Sequence, residues 1–315
     1  MKPEYQKFIL NLRVERMGGA VSSGHLYFVD DGGRVMDWDA NLQVFTNTTR
    51  TGSQRLLVLL HGYNNTYEDG LKALTRYMNL LEAGNSDHVM LAVLWPGDGW
   101  AKALSFPFEA RDADDSATAL HRWLDTNVDR SVRISFIAHS LGCRVAMRTA
   151  GLLARNSTGP GLGRICLMAA AINNDSLGHP NRTPGYRAAT LAAERVAVLS
   201  SKKDTILEGA YPLGETPWTV LRGENWGLAL GYTGPREHDA EVLAKIEPLI
   251  ADPSNGIDHS DYLGLAPEEK GKAIHTKSGS EIFALQFFKP VDKPEWPPTR
   301  PDPTAHSEID QTVRP

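Results

Sequence analysis

The stretch Val132-Arg133-Ile134-Ser135-Phe136-Ile137-Ala138-His139-Ser140-Leu141-Gly142 decides how this chain is read. Residues 132–138 are a mostly apolar stretch of strand length, interrupted only by Arg133 and Ser135, and helical spacing begins at Leu141, so Ser140 stands on the turn between a buried strand and a helix. Such a turn lifts a hydroxyl above the sheet. Ala138 and Gly142 flank Ser140 at two positions on either side, and their small size suits a sharp reversal with no room for larger side chains. The pattern is A-x-S-x-G, one methyl group away from the stricter G-x-S-x-G. Ser140 is the candidate nucleophile.

Upstream, Arg55-Leu56-Leu57-Val58-Leu59-Leu60 is a second strand-length run, and His61-Gly62-Tyr63-Asn64-Asn65 follows it. Acyl transfer through serine needs two backbone N–H groups aimed at the developing oxyanion. One comes from the residue after the nucleophile and one from the loop after an earlier strand. Leu141 and Tyr63 are the candidate donors. Gly62 lets the loop approach the serine, and His61 is expected to brace that loop by hydrogen bonding. No metal is expected at His61, because no His, Cys or carboxylate partner stands at ligand spacing around it.

Three motifs in order, His61-Gly62-Tyr63-Asn64-Asn65, Trp95-Pro96-Gly97 and Ala138-His139-Ser140-Leu141-Gly142, resemble those of a family of bacterial α/β-hydrolases of largely unassigned function. That family carries H-G-[FY]-N-N, W-P and A-H-S-[LM]-G, and the resemblance spans residues 55–263. It implies an α/β-hydrolase fold and serine-esterase chemistry with no cofactor. On this fold the chain order is serine, acid, histidine. His259, in the turn-rich Gly256-Ile257-Asp258-His259-Ser260-Asp261-Tyr262-Leu263, matches the family's late H-S-x-[YF] element, with His238 as the alternative. Asp204, just past the strand Val196–Ser201, stands where the family places its acid, and Asp175 after the preceding strand is its rival. Asp258 and Asp261 read as turn residues. Asn64, His139, Trp218 and Trp226 are the substrate-pocket candidates.

Organisation along the chain supports one domain over residues 1–288. Residues 6–48 read as β structure, with a strand at 8–14 and a hairpin of 26–29 with 35–38, forming an antiparallel edge. Strands expected at 55–60, 89–95, 132–138, 164–171 and 195–201 alternate with helices at 69–82, 110–127, 141–155 and 185–193. Such alternation means a mostly parallel central sheet covered by helices on both faces. The glycine- and aromatic-rich excursion 205–239 reads either as a pocket wall or as a loop covering the sheet edge. The run 240–246 fits helix or strand. Seven of the nineteen prolines fall in residues 289–315, so that tail reads as extended or disordered, with Trp296 its one large apolar residue and only candidate anchor.

Hydrophobic residues make up 41% and charged residues 23%, enough to bury a sizeable sheet, and the net charge of −5 provides no basic footprint for nucleic acid. No run approaches the roughly 18 apolar residues that span a bilayer, and the N-terminus lacks a secretory pattern. The two cysteines, Cys143 and Cys166, read as small core residues, and the simplest compartment is a reducing cytoplasm. The expected function is a serine hydrolase cleaving a small-molecule carboxylic ester through a Ser140-His259-Asp204 triad, with neither cofactor nor metal. A lipase or phospholipase with 205–239 as its lid, and a non-catalytic binding protein on the same fold, are the alternatives.

Overall fold

The computed structural model describes residues 6–14, 20–30, 34–37, 41–51, 55–63, 65–84, 87–97, 106–179, 185–213, 228–236, 239–251, 255–264, 275–289 and 294–298. Its strands are β1 (Lys7–Arg13), β2 (Val21–Val29), β3 (Val35–Met36), β4 (Arg55–Leu60), β5 (Val89–Leu94), β6 (Arg133–His139), β7 (Gly161–Met168), β8 (Val196–Ser201) and β9 (Ile246–Ala251). They form one nine-stranded sheet in the order β3-β2-β1-β5-β4-β6-β7-β8-β9. Every neighbouring pair is parallel except those of β2, which runs antiparallel to β1 and β3. The antiparallel character of the N-terminal edge therefore lies in β2, and β1 joins the body in parallel.

Strands β5 and β8 are buried along their whole length, and β4 and β6 at all but their first residue. Helices covering both faces of a parallel sheet explain why these segments read as continuous apolar runs instead of alternating ones. The larger helices are α1 (Asn41–Thr51), α2 (Tyr67–Ala83), α3 (Phe106–Asn127), α4 (Gly142–Arg155), α5 (Tyr186–Ala192), α6 (Thr205–Leu213) and α7 (Ser280–Phe288). None among the described residues is long and apolar enough to cross a membrane.

Strand order places the site. The chain leaves β4 through α2 toward β5 on one side, and leaves β6 through α4 toward β7 on the other. Because β4 and β6 are neighbours, their following loops diverge and open a crevice at the carboxyl ends of the strands, the place where ligands bind in such sheets. The residues that follow the two strands, 61–63 after β4 and 140–142 after β6, flank that crevice.

Three expectations change. Residues 41–51, the first eight of which fall in the segment 6–48 expected to be β structure, form a helix. Asn41, Phe45, Thr48 and Thr49 are its buried positions, a helical spacing, and Phe45 packs edge-on against Phe8 with ring centroids 5.2 Å apart. Burial of that face overrides the β preference of its valine and threonines. The ambiguous run 240–246 divides into a helical turn, Ala240–Leu243, and the start of β9, an edge strand where Pro248 is tolerated because one side of an edge needs no donor. The tail expected to be loose from 289 onward packs at 294–298, where Trp296 stacks on Tyr262 and meets Phe283 edge-on. The indole contributes apolar contact area there, and Pro294 and Pro298 on either side of it are buried as well.

Helix α4, which carries the serine turn, is bound to α3 by a fork: Arg144 donates from Nε and Nη2 to the two carboxylate oxygens of Asp114, both at 3.0 Å. Arg148 joins the same carboxylate at 3.4 Å. Two parallel charge-assisted bonds in a partly buried seam are stronger than ordinary surface pairs. Asp114→Ala is expected to destabilise the protein by about 1–3 kcal/mol, read as a lower urea midpoint at unchanged slope. An unchanged midpoint would place the strength of the α3–α4 seam in its other contacts, the apolar ones and the Thr149 bond to the Ala117 carbonyl among them.

Candidate active site

Ser140 sits at φ 54° on the turn after β6, in the left-handed region that side-chain-bearing residues rarely adopt. Its environment holds it there. The Ser140 N–H donates to the Met168 carbonyl at 3.0 Å, and its carbonyl accepts from Cys143 and Ala171 at 3.1 and 3.2 Å. A Cβ on Gly142 would lie 2.3 Å from the His61 carbonyl oxygen, so only glycine lets α4 begin this close to the neighbouring loop. A Cβ on Gly62 would fall 2.8 Å from that of Ser140, which shows how closely the loop after β4 approaches the serine. Among the described residues the Leu141 N–H donates to no protein acceptor. Cys143 and Cys166 are both buried and unbridged, and burial pushes both thiols up.

The loop after β4 is pinned by His61. Its Nδ1–H donates to the Gly62 carbonyl at 2.8 Å, so Nε2 is the acceptor for the Trp95 N–H at 3.3 Å. The Trp95 indole N–H donates to the His61 carbonyl at 2.9 Å, and the two rings stack with planes 11° apart. Burial lowers the His61 pKa to about 4. A neutral ring with both nitrogens engaged is a brace, as the sequence reading expected. Thr66 closes the loop by capping α2, its Oγ1 accepting from the Asp69 N–H at 3.1 Å.

His259 opens a short 3-10 turn, His259–Tyr262, from a chain position 119 residues beyond Ser140. Its Nε2 lies 2.9 Å from Ser140 Oγ, and its Nδ1 lies 2.8 Å from Asp204 Oδ2. A carboxylate accepts, so Nδ1 carries the proton and Nε2 faces the serine hydroxyl as an acceptor. Asp204 is fully buried, and its other oxygen caps α6 by accepting from the Leu207 N–H at 2.9 Å. The helix N-terminus thereby stabilises the carboxylate's charge. Asp258 caps the 259–262 turn and also accepts from the Thr205 N–H and hydroxyl, both at 3.3 Å, which ties the histidine turn to the helix next to Asp204.

Of the sequence candidates, Ser140, His259 and Asp204 are brought together, while Asp175 lies half-buried in the turn 174–178 and His259 bonds Asp204 instead. His139, expected to line a substrate pocket, turns its polar edge inward: Nε2–H donates to the His259 carbonyl at 2.8 Å, and the ring is buried. It braces the histidine turn. Asn64, Trp218, Trp226 and His238 lie outside the described residues. Of the excursion 205–239, residues 205–213 form α6, and Tyr232 donates its hydroxyl to Glu208 at 3.0 Å. The sequence reading missed the second bond of Asp258, and only its position one residue before His259 signalled it.

Three histidines are buried and neutral, desolvation being the leading cause in each: His61 and His88 at about 4, and His139 at about 3, against an ordinary value of 6.5. Below pH 6.5 the unfolded chain takes protons at these positions and the folded protein does not. Their contribution is therefore fully present above 6.5 and is lost as pH falls toward the folded values. Each costs about 1.4 kcal/mol of stability per pH unit in that window. Urea midpoints are expected to fall steeply between pH 6.5 and 5, above the carboxylate range, and His88→Gln to flatten that fall by about a third. A flat profile there would mean that the three rings take up protons without unfolding.

Residues 38–214, more than half of the chain, match the family described as α/β-hydrolase of unknown function (DUF900), a stretch that includes Ser140 and Asp204 and stops before His259. No curated protein matches the chain. Among solved structures, the crystal structure of the gene lin2722 products from Listeria innocua is similar at 10% identity and a TM-score of 0.41, covering 78% of this chain and 97% of that one. By the extent of the family match and by its mostly parallel sheet with an antiparallel edge, this protein belongs to the α/β-hydrolases of unknown function.

Proposed function

We propose that the protein is a serine hydrolase that cleaves a carboxylic ester through an acyl-enzyme intermediate. The observation that carries this reading is the chain of contacts Ser140 Oγ to His259 Nε2 at 2.9 Å and His259 Nδ1 to Asp204 Oδ2 at 2.8 Å. A serine hydroxyl is a weak nucleophile until a base takes its proton, and the base works best when a carboxylate holds its tautomer and stabilises the imidazolium.

In the first half-reaction Ser140 Oγ attacks the ester carbonyl carbon as His259 Nε2 takes the hydroxyl proton. The Leu141 N–H, and with it the Tyr63 N–H, receives the charge that develops on the carbonyl oxygen. The tetrahedral intermediate collapses, His259 returns the proton to the departing alkoxide, and the acyl group remains on Ser140. Water then attacks with His259 as base, the carboxylic acid leaves, and Oγ regains its proton. Asp204 accepts the Nδ1–H bond throughout and is not itself protonated. Neither His61 nor His139 competes as the base, because each donates a ring N–H to a backbone carbonyl and is held neutral by burial.

A fluorophosphonate probe is expected to label Ser140 and no other serine, mapped by mass spectrometry of the adduct. An adduct elsewhere, or none on folded protein, would sink the reading. On p-nitrophenyl esters, Ser140→Ala and His259→Ala should each lower kcat by about 10⁴- to 10⁶-fold, with the double variant little worse than either. Asp204→Asn should cost no more, about 10⁴-fold, through loss of the Nδ1 acceptor. If Asp204→Asn keeps full activity while Asp175→Asn abolishes it, the acid is Asp175.

A further inference from the structure

The segment 294–298 reaches the site through a series of rings. Trp296 lies flat on Tyr262, with centroids 5.6 Å and planes 14° apart, and is backed edge-on by Phe283 at 5.9 Å. Tyr262 ends the turn that His259 begins, and its ring centroid is 6.1 Å from that of His139. His139 lies 4.9 Å from the His259 ring and also bonds the His259 carbonyl. Pro294 and Pro298, on either side of the indole, are buried.

We propose that Trp296 is a positioning residue for His259, acting through Tyr262. The proposal rests on the reading of Ser140, His259 and Asp204 as a catalytic triad. The imidazole must satisfy partners at both edges at once, at 2.9 and 2.8 Å, so its turn has little latitude. Asp258 fixes the start of that turn to α6, and Ser280 donates its hydroxyl to the Tyr262 carbonyl at its end. The Tyr262 side chain has no such tether. Among the described residues its hydroxyl and the Trp296 indole N–H are both buried without hydrogen-bond partners, so ring packing alone holds the pair. Removing the indole opens a space beside Tyr262 into which the turn can relax, and a displacement of about 1 Å at a reacting group costs about 100-fold in rate.

Full-length wild type, Trp296→Ala and Trp296→Phe are compared in three measurements. These are the rate of fluorophosphonate labelling at Ser140, kcat and KM on p-nitrophenyl acetate, and the low-field Nδ1 proton resonance of His259, assigned by its loss in His259→Gln. Trp296→Ala should lower the labelling rate and kcat by about 10- to 100-fold with KM changed by less than about twofold, and should broaden or remove the Nδ1 proton. Trp296→Phe, which keeps a flat ring, should restore all three to within about threefold. A folded Trp296→Ala that labels at the wild-type rate with an unchanged Nδ1 proton overturns the proposal. If Trp296→Ala does not fold, Trp296→Leu, which keeps apolar bulk without a ring, takes its place under the same criteria. Wild type that never labels removes the triad reading instead. The Nδ1 proton then decides alone: loss in Trp296→Ala and return in Trp296→Phe support positioning, and persistence overturns it.

Discussion

The left-handed backbone at Ser140 is the constraint around which the rest of the site is arranged. A non-glycine residue held at φ 54° costs on the order of 1–3 kcal/mol and persists only where its surroundings over-determine it. Here the surroundings are the carboxyl ends of β4, β6 and β7. The Met168 carbonyl takes the serine N–H, Ala171 and Cys143 donate to its carbonyl, and Gly142 begins a helix under the His61 carbonyl. Apart from the local Cys143 bond, these contacts cross between strands that are neighbours only because of the sheet order, so the turn is held in place by the assembled sheet.

Three histidines crowd the same crevice, and their environments give them different chemistry. His61 and His139 are buried, donate to backbone carbonyls and are kept neutral by desolvation, at about 4 and about 3. They are fixed dipoles that shape the loop after β4 and the turn at 259. His259 alone has a carboxylate on one edge and a hydroxyl on the other. Asp204 serves two masters with its two oxygens, the imidazole and the first turn of α6, and so links the position of the proposed acid to a helix terminus. The neighbouring Asp258 bonds that same terminus from the histidine side. Asp204 and His259 are thus carried by two segments that share one anchoring point.

Local pattern made much of this legible. The buried parallel strands announce themselves as apolar runs, and β4 falls on the expected residues 55–60 because both of its faces are covered and no polar residue interrupts it. Small residues around Ser140 and the glycine of His61-Gly62 reflect close backbone approach, which the sequence must accommodate wherever it occurs. Where burial came from a distant partner, pattern failed. Helix α1 looks like β structure by propensity because its valine and threonines are β-branched, and the burial of its Asn41, Phe45, Thr48 and Thr49 face, with Phe45 packed on Phe8 and Trp123, overrides that preference. The proline-rich composition of the tail hid an ordered contact, since one tryptophan stacked on Tyr262 outweighs what the average of its neighbours suggests.

By itself the sequence determined the parallel sheet, the serine on its strand-to-helix turn, the glycines beside it, and a short list of acids and histidines that follow in order. Those are properties of neighbours in the chain, governed by periodicity and steric room. Only the tertiary structure decided that His259 faces Ser140 and Asp204, that His139 points at a backbone carbonyl, and that Trp296 lies against the histidine turn. Hydrogen bonds act over about 3 Å, while the residues that make these are 55 and 119 positions apart along the chain. Such pairings follow from which strands lie side by side and where each loop leaves the sheet, and a linear pattern carries neither.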